Sequence, residues 1–435
     1  MRTKPPFRLE WKKLLSDQRY GKKRNTQDNR TPFERDYGRI IFSAPFRRLA
    51  KKTQVHPFAE IDEIHTRLTH SLEVASVGRS LGVAVCAIIS EREGLPSGRT
   101  CEDLICIVES ACLAHDIGNP PFGHAGEAAI REWAAENEPA FRAKGLSGIK
   151  QDWRCFDGNA QAFRMLSRRD ATEQSFFNLT YATLGTMVKY PWTPADVCAK
   201  GKGKANVFST EREIFYEMVR VLGLKRPGGA IARHPLSFLS EAADDICYRI
   251  ADLEDAVRMK ILPKEEVQSI FADIIGDAAA PYRLPVMRAR AIGRLIKAAS
   301  DVFETHYDSI MRGTYAHPLK DGFPKPMKDG LARIREKYEN DIFRHRRKVA
   351  TEIGAFSIIA RILDTYTDVA KALSACKDYD KLGYRSQRCC TLAWGEDYVR
   401  EHSAEGYAWW LSRVLDFAAG MTDDYATQVA SEIQG

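Results

Sequence analysis

The sequence lacks most of what would place it in other functional classes. It has no run of 18 apolar residues, and its N-terminus, MRTKPPFRLEWKK, has no apolar core of the kind a signal peptide carries. Neither membrane insertion nor export is expected, and the cytoplasm is the expected location. The ten cysteines (86, 101, 106, 112, 155, 198, 247, 376, 389 and 390) form no CxxC pair and mostly sit in apolar helical patterns, so reduced structural thiols are expected. Cys389 and Cys390 are too close for an ordinary disulfide and make no zinc site unaided. KGKGK at 200–204 lacks the GxxxxGK[ST] order that wraps backbone amides around phosphate, which excludes a Walker motif. No stretch alternates long enough to suggest a sheet, and neither a repeat nor a heptad is present.

What is present is helical periodicity and an uneven charge. The net charge is +7, yet residues 1–52 hold 16 Lys and Arg against 5 Asp and Glu, a surplus of 11, so the remainder carries −4. A basic segment ahead of an acidic body suits a polyanionic ligand, a nucleotide or a nucleic acid strand. The first 30 residues read as a basic, loosely packed arm. Beyond them the apolar spacing is helical to the end, with breaks at Pro281 to Pro285 and His317 to Pro326.

The stretch SACLAHDIGNPPFGHAGE, Ser110 to Glu127, carries the chemistry. Leu104, Ile105, Val108, Ala111 and Cys112 recur at helical spacing, which puts His115 and Asp116 at the last turn of a buried helix that Gly118 and Pro120-Pro121 then end. His124 and Glu127 stand three apart at the next helix start, where a carboxylate can orient an imidazole. At a distance stand His70, in RLTHSLEV, and SEAADDICYRIADLEDA, which repeats Asp244, Tyr248 and Asp252 every four residues on one helix face. Glu254 and Asp255 read as a solvated acidic face, and residues 132–153 as a polar insertion over the site.

The set His70, His115, Asp116 and Asp244 resembles the ligand set of HD phosphohydrolases. With Arg30 to Val55, GNAQAFR (158–164), RHPLSFLSEAADDICY (233–248) and GMTDDYA (420–426), the chain resembles the deoxyguanosinetriphosphate triphosphohydrolase family from residue 30 nearly to the C-terminus. The resemblance implies an all-α HD-domain fold with a metal site between core helices, arranged as a basic arm (1–30), a catalytic core (31–275) and a C-terminal helical region completing the nucleotide pocket (276–435). It implies one divalent ion, Mn²⁺ or Mg²⁺ with Fe²⁺ also compatible, on those four residues, and His124 with Glu127 as catalytic groups. Gln54, Val55, Arg67, Asn159, Lys189, Lys204, Tyr248 and Asp252 become substrate contacts, with Tyr384 and Arg388 as weaker candidates for base or sugar. The expected reaction splits a deoxynucleoside triphosphate, dGTP first, into deoxynucleoside and triphosphate. Relatives form homo-oligomers, often hexamers, and some bind single-stranded DNA as an effector. The competing readings are an HD-type nucleotide phosphodiesterase, which would not need Gln54, Tyr248 and Lys189, and a single-stranded nucleic-acid-binding protein with a structural metal, which leaves His124 and Glu127 without a purpose.

Overall fold

In the computed structural model, which describes residues 7–20, 29–54, 64–142, 145–168, 177–196, 204–276, 282–342, 344 and 346–434, the regular elements are helices. Among the described residues only isolated bridges, such as Thr53 with Thr66, pair extended backbone. The all-α expectation holds.

Three helices carry the centre: Arg67–Arg92 (the His70 helix), Cys101–Ala114 (the His115 helix) and Ser237–Arg258 (the Asp244 helix). Thr66 and Thr100 open the first two with capping boxes, each side chain accepting from the backbone three residues on. The two helices then run close together because Gly78 and Gly82 face the neighbour. A Cβ at Gly78 would lie 2.4 Å from Cys112 Sγ, and one at Gly82 3.3 Å from Ile105 Cα. Most of the His115 helix is buried, since apolar residues occupy nearly all of its circumference after the first turn. By length and composition the His70 helix could also cross a membrane, but more than half of its apolar stretch is buried against protein.

The structure corrects the reading of the thiols at one pair: Cys86 and Cys101 form a disulfide, with Cα atoms 5.7 Å apart. The end of the His70 helix and the first turn of the His115 helix meet there, a proximity that 15 residues of sequence separation do not reveal. The other described cysteines are free thiols.

A second correction concerns the N-terminal segment. Residues 7–20 are packed, with Leu9, Trp11, Leu14 and Leu15 buried. Trp11 Nε1 donates to the Tyr307 hydroxyl (2.8 Å), and Leu9 N donates to Met311 O (2.7 Å). One short turn, Trp11–Leu14, aims its apolar side chains at the bundle and outweighs the polar composition around it.

The apolar interior forms two clusters. The first joins the three central helices to Lys264–Ile275, Leu284–Thr305 and Lys325–Lys337. The second packs residues 122–160 against the helices Arg346–Cys376, Tyr407–Gly420 and Asp423–Glu432. The described residues of 132–153 therefore do not cover the site. Trp133, Phe141 and Trp153 stack in this second cluster, ring centroids 5.4–6.3 Å apart, and none of these residues lines the cavity described below.

Candidate active site and family

A cavity of about 250 Å³ opens between the two clusters. His115, Asp116 and Asp244 line its base, His70 is fully buried behind them, and the donor atoms of His70, His115 and Asp244 lie within 4.8 Å of one another. His70 Nε2 lies 3.3 Å from Asp244 Oδ1, and His115 Nε2 lies 3.5 Å from both Asp244 Oδ1 and Asp116 Oδ1. His115 Nδ1 donates to the Cys112 carbonyl (2.6 Å), since a carbonyl only accepts, so in the neutral ring Nε2 carries a lone pair. That buried lone pair faces two carboxylate oxygens with no hydrogen-bond partner, and His70 Nδ1 is likewise unpartnered. Acceptors converging on acceptors is the arrangement a cation resolves, and a backbone carbonyl behind the ring is the usual support of a ligating histidine. The residues present therefore fit a divalent ion.

Cations already stand beside the acids. Arg67 Nη1 donates to Asp116 Oδ2 (2.7 Å), Asn119 donates to Asp116 Oδ1, and Lys189 Nζ donates to Asp244 Oδ2 (2.9 Å). Burial pushes the Asp116 carboxyl up, but Arg67 and the two imidazoles hold it down at about 2. Asp244 is likewise held well below the carboxylate range against its burial, by Lys189 and both histidines. Both acids are ionised ligand candidates at neutral pH.

His124 rises from the rim with its side chain 74% exposed, its Nδ1 3.3 Å from Glu127 Oε2. Glu127 is buried and also accepts from Gly158 N (2.7 Å); burial raises its pKa, but His124 and that amide bring it below its ordinary value. The predicted pair is thus formed. The turn before it is tight: Phe122 (φ 63°) and Gly123 (φ 57°) are both left-handed, and a Cβ on Gly123 would sit 2.6 Å from Arg67 Nη2.

Gln54, Asn159, Lys204 and Tyr248 also line the cavity. Gln54 Oε1 is buried without a partner, Asn159 Nδ2 donates to Asp157 (2.8 Å), and the Lys204 ammonium stands 5.7 Å from the Tyr190 ring centre. Val55 lies outside the described residues. Asp252 is buried but does not line the cavity. The structure leaves Tyr384 and Arg388 elsewhere: Tyr384 is 72% exposed, under the Arg388 guanidinium, because the helix Tyr384–Ala393 turns that face outward. Nor are Glu254 and Asp255 solvated. Glu254 pairs with Arg288 (2.5 Å), and Asp255 accepts from both His65 N (3.1 Å) and His65 Nδ1 (2.8 Å), so both acids are buried.

Sequence reasoning missed the far wall. Tyr338, Lys348, Thr351 and Glu352 line it, and the Tyr338 and Tyr248 hydroxyls hydrogen-bond to each other with ring centroids 5.6 Å apart. Tyr338 begins a π-helical turn, Tyr338–Ile342, a local departure frequent at functional sites. No spacing in the sequence announces it. Asp157, which caps the helix Gly158–Ser167, lines the cavity as well.

A family model for the HD domain matches residues 67–167, and that domain implies a divalent metal. A deoxyguanosinetriphosphate triphosphohydrolase-like protein of Pseudomonas aeruginosa (strain LESB58) is 39% identical over 98% of this chain and 99% of its own length. One from Synechocystis sp. is 36% identical over 98% and 99%. The deoxyguanosinetriphosphate triphosphohydrolase of Yersinia enterocolitica is 28% identical over 96% and 97%. Likeness along the whole length, joined to two histidines and two acids at the base of one cavity, makes this chain an enzyme, a member of the deoxyguanosinetriphosphate triphosphohydrolase family of HD-domain phosphohydrolases.

Proposed function

We propose that this hydrolase is a metal-dependent deoxynucleoside triphosphate triphosphohydrolase, with dGTP the first candidate substrate, and that it releases deoxynucleoside and inorganic triphosphate. The observation that carries the reading is one cavity with His115, Asp116 and Asp244 at its base and His70 just behind them, Lys189 and Arg67 beside the acids, and the Tyr248–Tyr338 pair in its wall, the Tyr248 ring 6.3 Å from that of His70.

His70, His115, Asp116 and Asp244 would hold the ion, Mn²⁺ or Mg²⁺ with Fe²⁺ also compatible, a donor set of imidazole and carboxylate that such ions favour. A divalent cation bound there supplies Lewis acidity toward phosphate and lowers the pKa of water from 15.7 toward about 7. Arg67 and Lys189 fix the two acids and set two positive charges along the path of the phosphate chain, where Lys204 adds a third. Water attacks the α-phosphorus and the bond to the 5′ oxygen breaks. His124 Nδ1–H donates to Glu127, so that Nε2 of the protonated ring can pass its proton to the departing oxygen, and Nε2 of the neutral ring can accept from and orient the water. Tyr248 packs against C2′ of the sugar, and Gln54 offers its unpartnered oxygen to the 3′-hydroxyl. Homo-oligomer formation, a hexamer being one form, and a single-stranded DNA effector belong to the same reading; light scattering and oligonucleotide titration test them.

The deciding experiment is an assay of the four dNTPs and GTP with Mg²⁺, Mn²⁺ or Fe²⁺ in ¹⁸O-water. Deoxynucleoside plus triphosphate bearing the label is expected. dNDP with phosphate, dNMP with pyrophosphate, or turnover only of a phosphodiester would overturn the proposal.

A further inference from the structure

Asp423 opens the last helix, Asp423–Glu432, and does not line the cavity, yet its carboxylate is bound to two segments that do. Thr422 caps that helix by accepting from Tyr425 N, so Asp423 is free for other work. It is 3% exposed. Its Oδ1 accepts from Phe122 N at 2.9 Å and its Oδ2 from Thr53 N at 3.1 Å. Each donor immediately precedes site residues: Thr53 leads to Gln54, and Phe122 leads through Gly123 to His124.

The Phe122 contact is the more telling. A bulky residue at φ 63° is strained and persists only where its surroundings over-determine it. Gly123 follows at φ 57° and ψ −124°, and the two together swing the chain into the helix that begins with His124. A second tie runs parallel to the first. Lys52 Nζ is buried and donates to Asn119 O (2.5 Å) and Ala419 O (2.8 Å), joining the same two loops to the end of the helix Tyr407–Gly420. Burial, with Arg48 nearby, brings its pKa down to about 7, whereas a solvated surface lysine stays at about 10.4. The C-terminal helices thus hold both sides of the cavity mouth from outside it.

We propose that Asp423 is a positioning residue for the hydrolysis: by holding the Phe122–Gly123 turn it sets the place of His124 over the cavity, and it acts on turnover through His124. The inference rests on the reading of His124 as a proton-transferring group, and the test separates the two.

Asp423→Asn keeps the size of the side chain but turns one acceptor into an NH₂ facing a backbone N–H. It should be measured alone and combined with His124→Ala, using dGTP and Mn²⁺ with the full chain, alongside helicity, Tm and bound Mn²⁺. Alone, it should lower kcat roughly 10- to 100-fold, the scale on which a displacement of about 1 Å acts, with metal and helicity retained. On the His124→Ala background it should cost less than about 2-fold. The same cycle run with Asp423→Glu, which keeps both acceptors and shifts them by one methylene, answers the question should the Asn variant not fold. Losses of equal factor on both backgrounds, or a wild-type kcat in the Asp423 variant, overturn the positioning role while His124 stands. A wild-type rate in His124→Ala alone overturns the reading of His124 itself, and the positioning role with it.

Discussion

At the base of the cavity the buried Asp116 and the partly exposed Asp244 lie 2.7 and 2.9 Å from Arg67 and Lys189, and both carboxyls are held down. Two turns further along the Asp244 helix, behind the cavity wall, Asp252 is more deeply buried (1% exposed), and its carboxyl is pushed well above the ordinary range. Burial and the neighbouring Asp255 outweigh Lys348 and Tyr338 there. Burial raises Tyr248 and Tyr338 as well, so the phenols stay protonated. Desolvation acts at both ends; what differs is a cation in direct contact. One end is therefore built of fixed charges suited to phosphate and metal, the other of neutral hydrogen-bonding groups suited to discriminating by shape.

The largest effect should come from breaking the charged end. Asp244→Ala removes an acid shared by both histidines and Lys189. Turnover should fall at least about 10³-fold, since Lewis-acid assistance is worth several kcal/mol. Metal analysis should show the ion lost while circular dichroism stays helical; full metal occupancy would refute the ligand assignment.

Next in size is the rim. His124→Ala should lower kcat by roughly 10²- to 10⁴-fold with metal retained, and adding Glu127→Ala should cost little more. Multiplicative losses would show that the two side chains act independently.

The neutral end is probed by selectivity rather than rate. Tyr248→Ala should raise the GTP to dGTP ratio of kcat/KM by about 5- to 150-fold, the roughly 1–3 kcal/mol cost of burying an unpaired 2′-hydroxyl being relieved. Tyr338→Phe keeps the ring but deletes the hydroxyl that meets Tyr248, and should shift the ratio by only about 2- to 12-fold, one hydrogen bond's worth of roughly 0.5–1.5 kcal/mol. An unchanged ratio in both would remove the shape filter.

The smallest effect is on stability. Hydrogen bonds to Asp255 and Glu73 raise His65 from 6.5 to about 10. A raised folded-state pKa gives stability that is complete below about 6.5 and is lost as pH climbs through about 10. Thermal melts should show wild type losing more Tm than His65→Gln between those pH values; parallel profiles would contradict the assignment.

The contrast between the two ends also explains what could be read without coordinates. His115-Asp116 and His124–Glu127 are local pairs, and Asp244, Tyr248 and Asp252 share one helix face, so spacing and the family pattern both exposed them. Tyr338 meets Tyr248 across 90 residues of chain, and nothing in its own neighbourhood distinguishes it from a core aromatic. Glu254 and Asp255 looked solvated because an acidic run usually is; their partners Arg288 and His65 lie 34 and 190 residues away. GMTDDYA stood out as a family match, but its use by Thr53 and Phe122 exists only in three dimensions. The all-helical class was legible throughout, because periodicity is local, whereas the Cys86–Cys101 bridge depended on how two helices are joined.

The burial of Trp11, Leu14 and Leu15 sets an order of events during synthesis. Among the partners of this first segment are Tyr181, Tyr307 and Met311, so it cannot complete its packing until some 300 residues later have left the ribosome. At about 5–20 residues per second that interval is roughly 15–60 s. For that time an apolar turn stands unprotected on the nascent chain, a binding target for chaperones and a point of entry for proteases, and its burial marks the closing of the first helical cluster.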